Sequence, residues 1–143
     1  MTTDLNLHIK KNENVMIYVD GELFHRNDAK ISVFDSGFMM GDGVWEGLRL
    51  VKNNWIFLDE HLERLSEAAK AIDLDIGLST NELKDALEQT KSVNNMTDKA
   101  HARLMVTRGV KSKPFQKPSY SIDGSTVVII MEHSDDSVKT HPI

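Results

Sequence analysis

The stretch Gly37-Phe38-Met39-Met40-Gly41-Asp42-Gly43-Val44-Trp45-Glu46-Gly47-Leu48-Arg49-Leu50 places four glycines within eleven residues, among large apolar side chains that need burial. So many glycines leave little intrinsic helix stability. Backbone freedom beside heavy side chains fits a packed functional turn better than a linker. From Trp45 to Val51 the residues read as a strand, expected to turn at Lys52-Asn53-Asn54 into a second strand over Trp55 to Leu58. Gly41, Gly43 and Gly47 lack the G-x-G-x-x-G spacing, which argues against a dinucleotide fingerprint. Glycines that serve turns and close packing weigh about evenly here with glycines that approach a ligand.

Upstream, Val15 to Val19 and Glu22 to His25 flank Asp20-Gly21, the strongest short hairpin signal in the chain. Ala29 to Phe34 alternates as a further strand, broken by Asp35-Ser36-Gly37. Downstream, Asp59 is a candidate N-cap, and Leu58, Leu62, Leu65, Ala69 and Ile72 form an amphipathic helical stripe closed by Gly77. Ser79 and Glu82 make a capping box for a second helix, with Leu83, Ala86, Leu87 and Val93 inward and Asn94-Asn95 at its end. His101 to Thr107 reads as a strand, Val110 to Gly124 as a long loop, and Thr126 to Glu132 as a buried strand. The order predicts an α+β fold, a mostly antiparallel sheet with two packed helices. Residues 1–14 are expected to be a flexible N-terminus, 15–133 the domain, and 134–143 a tail or the start of a linker to a further domain.

Composition narrows the function classes. The chain has 143 residues, no cysteine and a formal charge of −5. No disulfide framework, thiolate metal site or cysteine nucleophile can be built from it. A nucleic-acid partner is not expected without a basic surplus. The longest apolar run, Val127 to Met131, is too short for a bilayer, and the polar start lacks a signal-peptide core, so a cytoplasmic, membrane-free globular domain is expected. The six histidines show no i, i+4 pair on a helix, and no metal site is expected. Gly-x-Ser-x-Gly is absent, which leaves a serine hydrolase unsupported.

The arginines carry more. Of five, Arg49, Arg64 and Arg103 lie inside otherwise apolar elements. A buried guanidinium requires an anion, and its planar fork suits carboxylate and phosphate. Ion pairs within the chain satisfy that requirement, and Arg64 could pair with Glu60 or Glu67 on its own helix. The alternative is a pocket for an anionic cofactor or substrate.

Five segments together give the residues a family likeness: Tyr18-Val19-Asp20-Gly21, Phe34-Asp35-Ser36-Gly37-Phe38, Gly41 to Arg49, Leu58 to Leu65, and Val106-Thr107-Arg108-Gly109. In order and spacing, from about Met16 to Met131, the chain resembles the class IV aminotransferases, which use pyridoxal phosphate. The resemblance implies the small N-terminal domain of the D-amino acid aminotransferase-like fold. It places Arg64 at the cofactor phosphate and Trp45 on the substrate side of the cofactor. Met40 falls where branched-chain enzymes carry a tyrosine. His101 and Arg103 fall where those enzymes carry a tyrosine and an arginine for substrate carboxylates. The Arg-x-His trap of D-amino acid enzymes is replaced by Lys113 and Phe115. The balance favours a branched-chain-like amino acid and a 2-oxo acid as substrates, or a relative with another substrate.

The family's Schiff-base lysine lies well beyond Val127 to Met131, and Lys139, the only lysine after that strand, does not match it. No catalytic residue is therefore assigned, and the chain alone is expected to be inactive. An apolar surface left for a second domain implies self-association into a homo-oligomer. The rivals are an aminodeoxychorismate lyase-like enzyme using the same cofactor, and a non-catalytic interaction domain of the same fold.

Overall fold

Side-chain alternation sorts the strands into one face that needs cover and one that carries the polar groups. The computed structural model describes residues 3–134. In chain order its elements are α1 (Thr3–Lys11), β1 (Met16–Val19), β2 (Glu22–His25), α2 (Ser36–Met40), β3 (Gly43–Val51), β4 (Asn54–Trp55), α3 (Leu58–Ala71), α4 (Thr80–Val93), β5 (Ala100–Thr107) and β6 (Thr126–His133). A short 3-10 turn, Pro118–Tyr120, interrupts the loop before β6. The strands form one antiparallel sheet in the order β2-β1-β6-β5-β3-β4, so the fold is α+β and Thr126–His133 is central.

Register runs true across the sheet. Leu48 faces Ala102, which faces Met131; Glu46 faces Leu104, which faces Ile129, which faces Tyr18. These positions form the buried face, covered by α3 over β3 and by α4 over β1 and β6. Leu62, Leu65 and Ala69 of α3 and Leu83, Ala86 and Leu87 of α4 complete the core, as the two stripes predict. On the opposite, open face stand Trp45, Met105 and Val128 in one rung and Arg49, His101 and Glu132 in another. An apolar trough of about 410 Å³ runs along that face past Ile17, Val19, Met105, Val128 and Ile130.

The hairpin and the capping box form as read. Asp20 and Gly21 take φ of 48° and 92° between β1 and β2, and Ser79 exchanges hydrogen bonds with Glu82. Four expectations do not hold. The polar start is a helix, because buried Asn12 stands in for a strand neighbour: its Oδ1 accepts from the His133 N–H at 2.7 Å and its Nδ2 donates to the His133 carbonyl at 3.2 Å. Ala29 to Phe34 is not a strand. The N–H groups of Asp28 and Ala29 both turn back to the His25 carbonyl, and Ala29, Lys30 and Ile31 in succession lie along the trough. Helix α3 opens at Phe57, which takes φ 52°, so Leu58 and Asp59 lie in its first turn and β4 stops at Trp55. Val93 is 40% exposed, and Thr90 is buried in the last turn instead, bonded to the Ala86 carbonyl. Lys139 and the rest of the tail beyond Ser134 lie outside the described residues.

Leu104, with no exposed surface on the central part of β5, is the most direct probe of this core. Leu104→Ala is expected to lower stability by about 2–5 kcal/mol, read from the urea midpoint.

Candidate functional site

Strand β4 pairs only with Leu50 and Val51, so among the described residues the outer edge of β3 from Gly43 to Leu48 has no strand beside it. Alternation along this edge turns Trp45, Gly47 and Arg49 to the open face and Glu46, Leu48 and Leu50 to the helical face. Glu46 is thus a carboxylate in a leucine row, 3% exposed. Such a group needs cationic partners. Helix α3 supplies a guanidinium and an imidazole, one turn apart. Arg64 Nε donates to Glu46 Oε1 at 2.6 Å and Arg64 Nη2 to Oε2 at 2.6 Å, while His61 Nδ1 lies 2.8 Å from Oε2.

The electrostatics follow from this geometry. The Arg64 hydrogen bonds hold the Glu46 carboxyl below its ordinary value of 4.5, His61 assists, and burial opposes. Glu46 in turn raises the Arg64 guanidinium above its already high value. The fork fixes the plane of the guanidinium while its side chain stays 70% exposed. Its remaining N–H groups are left to other acceptors. The partner of Arg64 is therefore neither Glu60 nor Glu67 but a residue from β3, and pairing leaves the outer side of the guanidinium for a second anion.

On the open face, the Arg103 guanidinium carbon sits 4.2 Å from the Trp45 ring centroid. Gly47, opposite Arg103 in the register, carries no side chain to crowd this stack. Two residues along β5, His101 shares a rung with Arg49 and Glu132. Burial holds the His101 imidazole below its ordinary value of 6.5; Glu132 opposes, and His8, Arg103 and Arg49 add to the lowering. Helix α2 is capped by Asp35, which accepts from Gly37 N–H at 2.8 Å and from Thr126 Oγ1 at 2.6 Å. Gly37 allows α2 to sit against Thr107, since a Cβ there would collide with the threonine methyl. Half-buried Met40 ends α2, and Gly41 closes it with φ 66°.

The sequence-based site therefore falls on two sides of β3. Arg64 lies with the helical layer, and Trp45, His101 and Arg103 lie together on the open face. The premise of buried arginines needs correcting: Arg49 and Arg103 are exposed, because their strand positions point away from the helices. Arg108 is a clamp, bonded to Asp42 and to the carbonyls of Ile72 and Asp73. Sequence reading missed Glu46, His61 and Glu132, and singled out Arg49 only as an arginine inside an apolar strand. Only the i, i+3 spacing of His61 and Arg64 signals any of them.

For a phosphorylated cofactor such as pyridoxal phosphate, the donor set fits at one point. An exposed guanidinium, fixed by a buried carboxylate, stands beside the bare edge of β3, with exposed Trp45 on the other side of the same strand. The negative charge of Glu46 is already paired with Arg64, which lessens its repulsion of an incoming phosphate.

Residues 43–142 match a family model described as amino-transferase class IV. The chain is 39% identical over 127 residues to branched-chain-amino-acid aminotransferase-like protein 1 of Arabidopsis thaliana, covering 89% of this chain and 23% of that protein. It is 36% identical over 106 residues to the aminodeoxychorismate lyase of Bacillus subtilis, covering 73% of this chain and 36% of that one. The crystal structure of the Escherichia coli branched-chain amino acid aminotransferase aligns with a TM-score of 0.74 at 25% identity, over 89% of this chain and 42% of that chain. The chain thus spans less than half the length of each of these relatives.

The Glu46 pairing makes stability depend on acid pH with a definite sign. A carboxyl lowered in the folded state contributes above 4.5 and loses that contribution as pH falls through its lower folded value. Glu46→Gln is expected to lose about 1–3 kcal/mol at neutral pH. In denaturant titrations, the gap to the unaltered protein should close as the pH is taken below 4.5.

Proposed function

The chain belongs to the class IV aminotransferase family, and on that premise we propose that it forms the Arg64-bearing part of a pyridoxal-phosphate-dependent aminotransferase. Arg64 holds the cofactor phosphate, and Trp45 and Met40 line the substrate side. His101 and Arg103 meet the substrate carboxylate. The substrates are a branched-chain-like amino acid and a 2-oxo acid. When bound, the cofactor supplies an aldehyde and an electron-withdrawing ring through which an amino group passes from one to the other.

The observation that carries this reading is the guanidinium held by a buried carboxylate. Two 2.6 Å bonds to Glu46 orient Arg64 before any ligand arrives, so little ordering is needed when a phosphate docks. Arg103 is supported differently, by the face of Trp45, which leaves its N–H fork free to turn toward a carboxylate. His101, kept largely neutral near pH 7, donates or accepts a hydrogen bond without adding a third charge beside Arg49 and Arg103.

No lysine of this chain is assigned to bond the cofactor, and the 143-residue chain alone is proposed to be inactive. The apolar trough is the surface proposed for association into a homo-oligomer, in a cytoplasmic enzyme. A lyase acting through the same cofactor is the second reading. It draws on the likeness to the Bacillus subtilis lyase and on Met40 and His101, which depart from the branched-chain pattern.

Calorimetry with pyridoxamine 5′-phosphate, which has no aldehyde to react with surface lysines, tests the assignment of Arg64. Binding is expected to the unaltered chain and to weaken by about tenfold or more in Arg64→Ala. Arg103→Ala is expected to leave that affinity unchanged. Equal affinity in the unaltered chain and Arg64→Ala would overturn the assignment.

A further inference from the structure

Glu132, near the end of β6, stands on the open face beside two imidazoles from distant parts of the chain. His8 Nε2, on α1, lies 3.3 Å from Glu132 Oε2. His101 Nε2, on β5, lies 4.0 Å from the same oxygen. Only the first distance is within hydrogen-bond reach. The arrangement is fixed from both sides. The β5–β6 register sets His101 opposite Glu132, and Asn12, bonded to the His133 backbone and to the His8 carbonyl, docks α1 against the strand end. His8 Nδ1 is buried without a partner, which favours the tautomer that turns its N–H toward Glu132.

We propose that His8 and Glu132 are positioning residues for His101: His8, delivered by α1, bonds the Glu132 carboxylate and holds it out of hydrogen-bond reach of His101, and so leaves His101 Nε2 for a substrate carboxylate. The His8 bond fixes where the carboxylate points, and at 4.0 Å His101 stays beyond hydrogen-bond reach. Arg49 and Arg103 flank His101 from β3 and β5, and both disfavour its protonation. Arg26 and Glu13 face His8 across the groove that also holds Glu132, and Lys30 and Arg26 line the trough beside that carboxylate. The positioning of His101 is a property of this chain without ligand. Its consequence for substrate rests on the reading of the open face given under the proposed function.

Histidine ring signals, followed by NMR through a pH titration of the 143-residue chain, test the positioning. In His8→Gln the imidazole that holds Glu132 is gone, the carboxylate can turn to His101, and the His101 midpoint is expected to rise. In Glu132→Gln the opposing negative charge is removed, and the midpoint is expected to fall. An amide spectrum checks each fold, and should one variant unfold, the other decides alone. A His101 midpoint unchanged in the folded variants would overturn the proposal. Glutarate, as a dicarboxylate probe, separates the two levels. It is expected to shift the His101 and Arg103 signals of the unaltered chain, and to do so at higher concentration in His8→Gln. Midpoints that move as expected with no response to glutarate would uphold the positioning of His101 and remove the substrate-facing reading of the open face.

Discussion

A single carboxylate in a row of leucines constrains how the helical layer meets the sheet. Glu46 shares the buried face of β3 with Leu48 and Leu50. Left unpaired there, it would destabilise the fold by more than any one neighbouring contact could offset. Helix α3 must therefore lie where Arg64 and His61, one turn apart, reach both carboxylate oxygens while Leu62 and Leu65 fill the core beside them. The same pairing that makes burial of Glu46 tolerable holds an arginine rigid at the protein surface. The stability of the buried carboxylate and the fixed posture of that arginine share one set of hydrogen bonds.

The outer edge of β3 is bare along most of its length. With β4 covering only Leu50 and Val51, residues Gly43 to Leu48 meet no further strand among the described residues, and Glu46, the partner of Arg64, turns to one side while Trp45 turns to the other. The open face adds a graded set of charges. Arg103 is supported on Trp45, Arg49 is exposed, the His101 imidazole is held below its ordinary value by partial burial, and Glu132 closes the far end. Helix α1 and buried Asn12 bring His8 to that end, so the site draws on nearly the whole described length of the chain.

Local chemistry was legible in the sequence where the interactions themselves are local. Asp20-Gly21 specifies its turn, Ser79 and Glu82 cap α4 across three residues, and the leucine stripe of α3 faces inward as its spacing requires. Reading failed where a distant partner decides the outcome. Thr3 to Lys11 looks like a loose polar segment until Asn12 finds the backbone of His133, 121 residues away. Ala29 to Phe34 alternates like a strand, but the chain bends off at His25, and the Phe34 carbonyl is met only at the segment's end, by the Lys111 N–H. Glu46 and Arg64 are 18 residues apart on different elements, so helical spacing pointed to Glu60 and Glu67 instead. The family motifs marked Arg64, Trp45 and Arg103 as residues of interest, yet only the register shows that they lie on opposite faces of one strand.

The central claim is that the Glu46–Arg64 fork presents a preformed anion site at the β3 edge. An experimental structure of this chain with pyridoxamine 5′-phosphate tests it most directly. The account predicts the phosphate within hydrogen-bond distance of the Arg64 guanidinium, with both Glu46 bonds retained and Trp45 beside the ring. A phosphate bound instead among Lys111, Lys113 and Lys117 of the loop before β6, or an Arg64 that leaves Glu46 to reach it, would contradict the account.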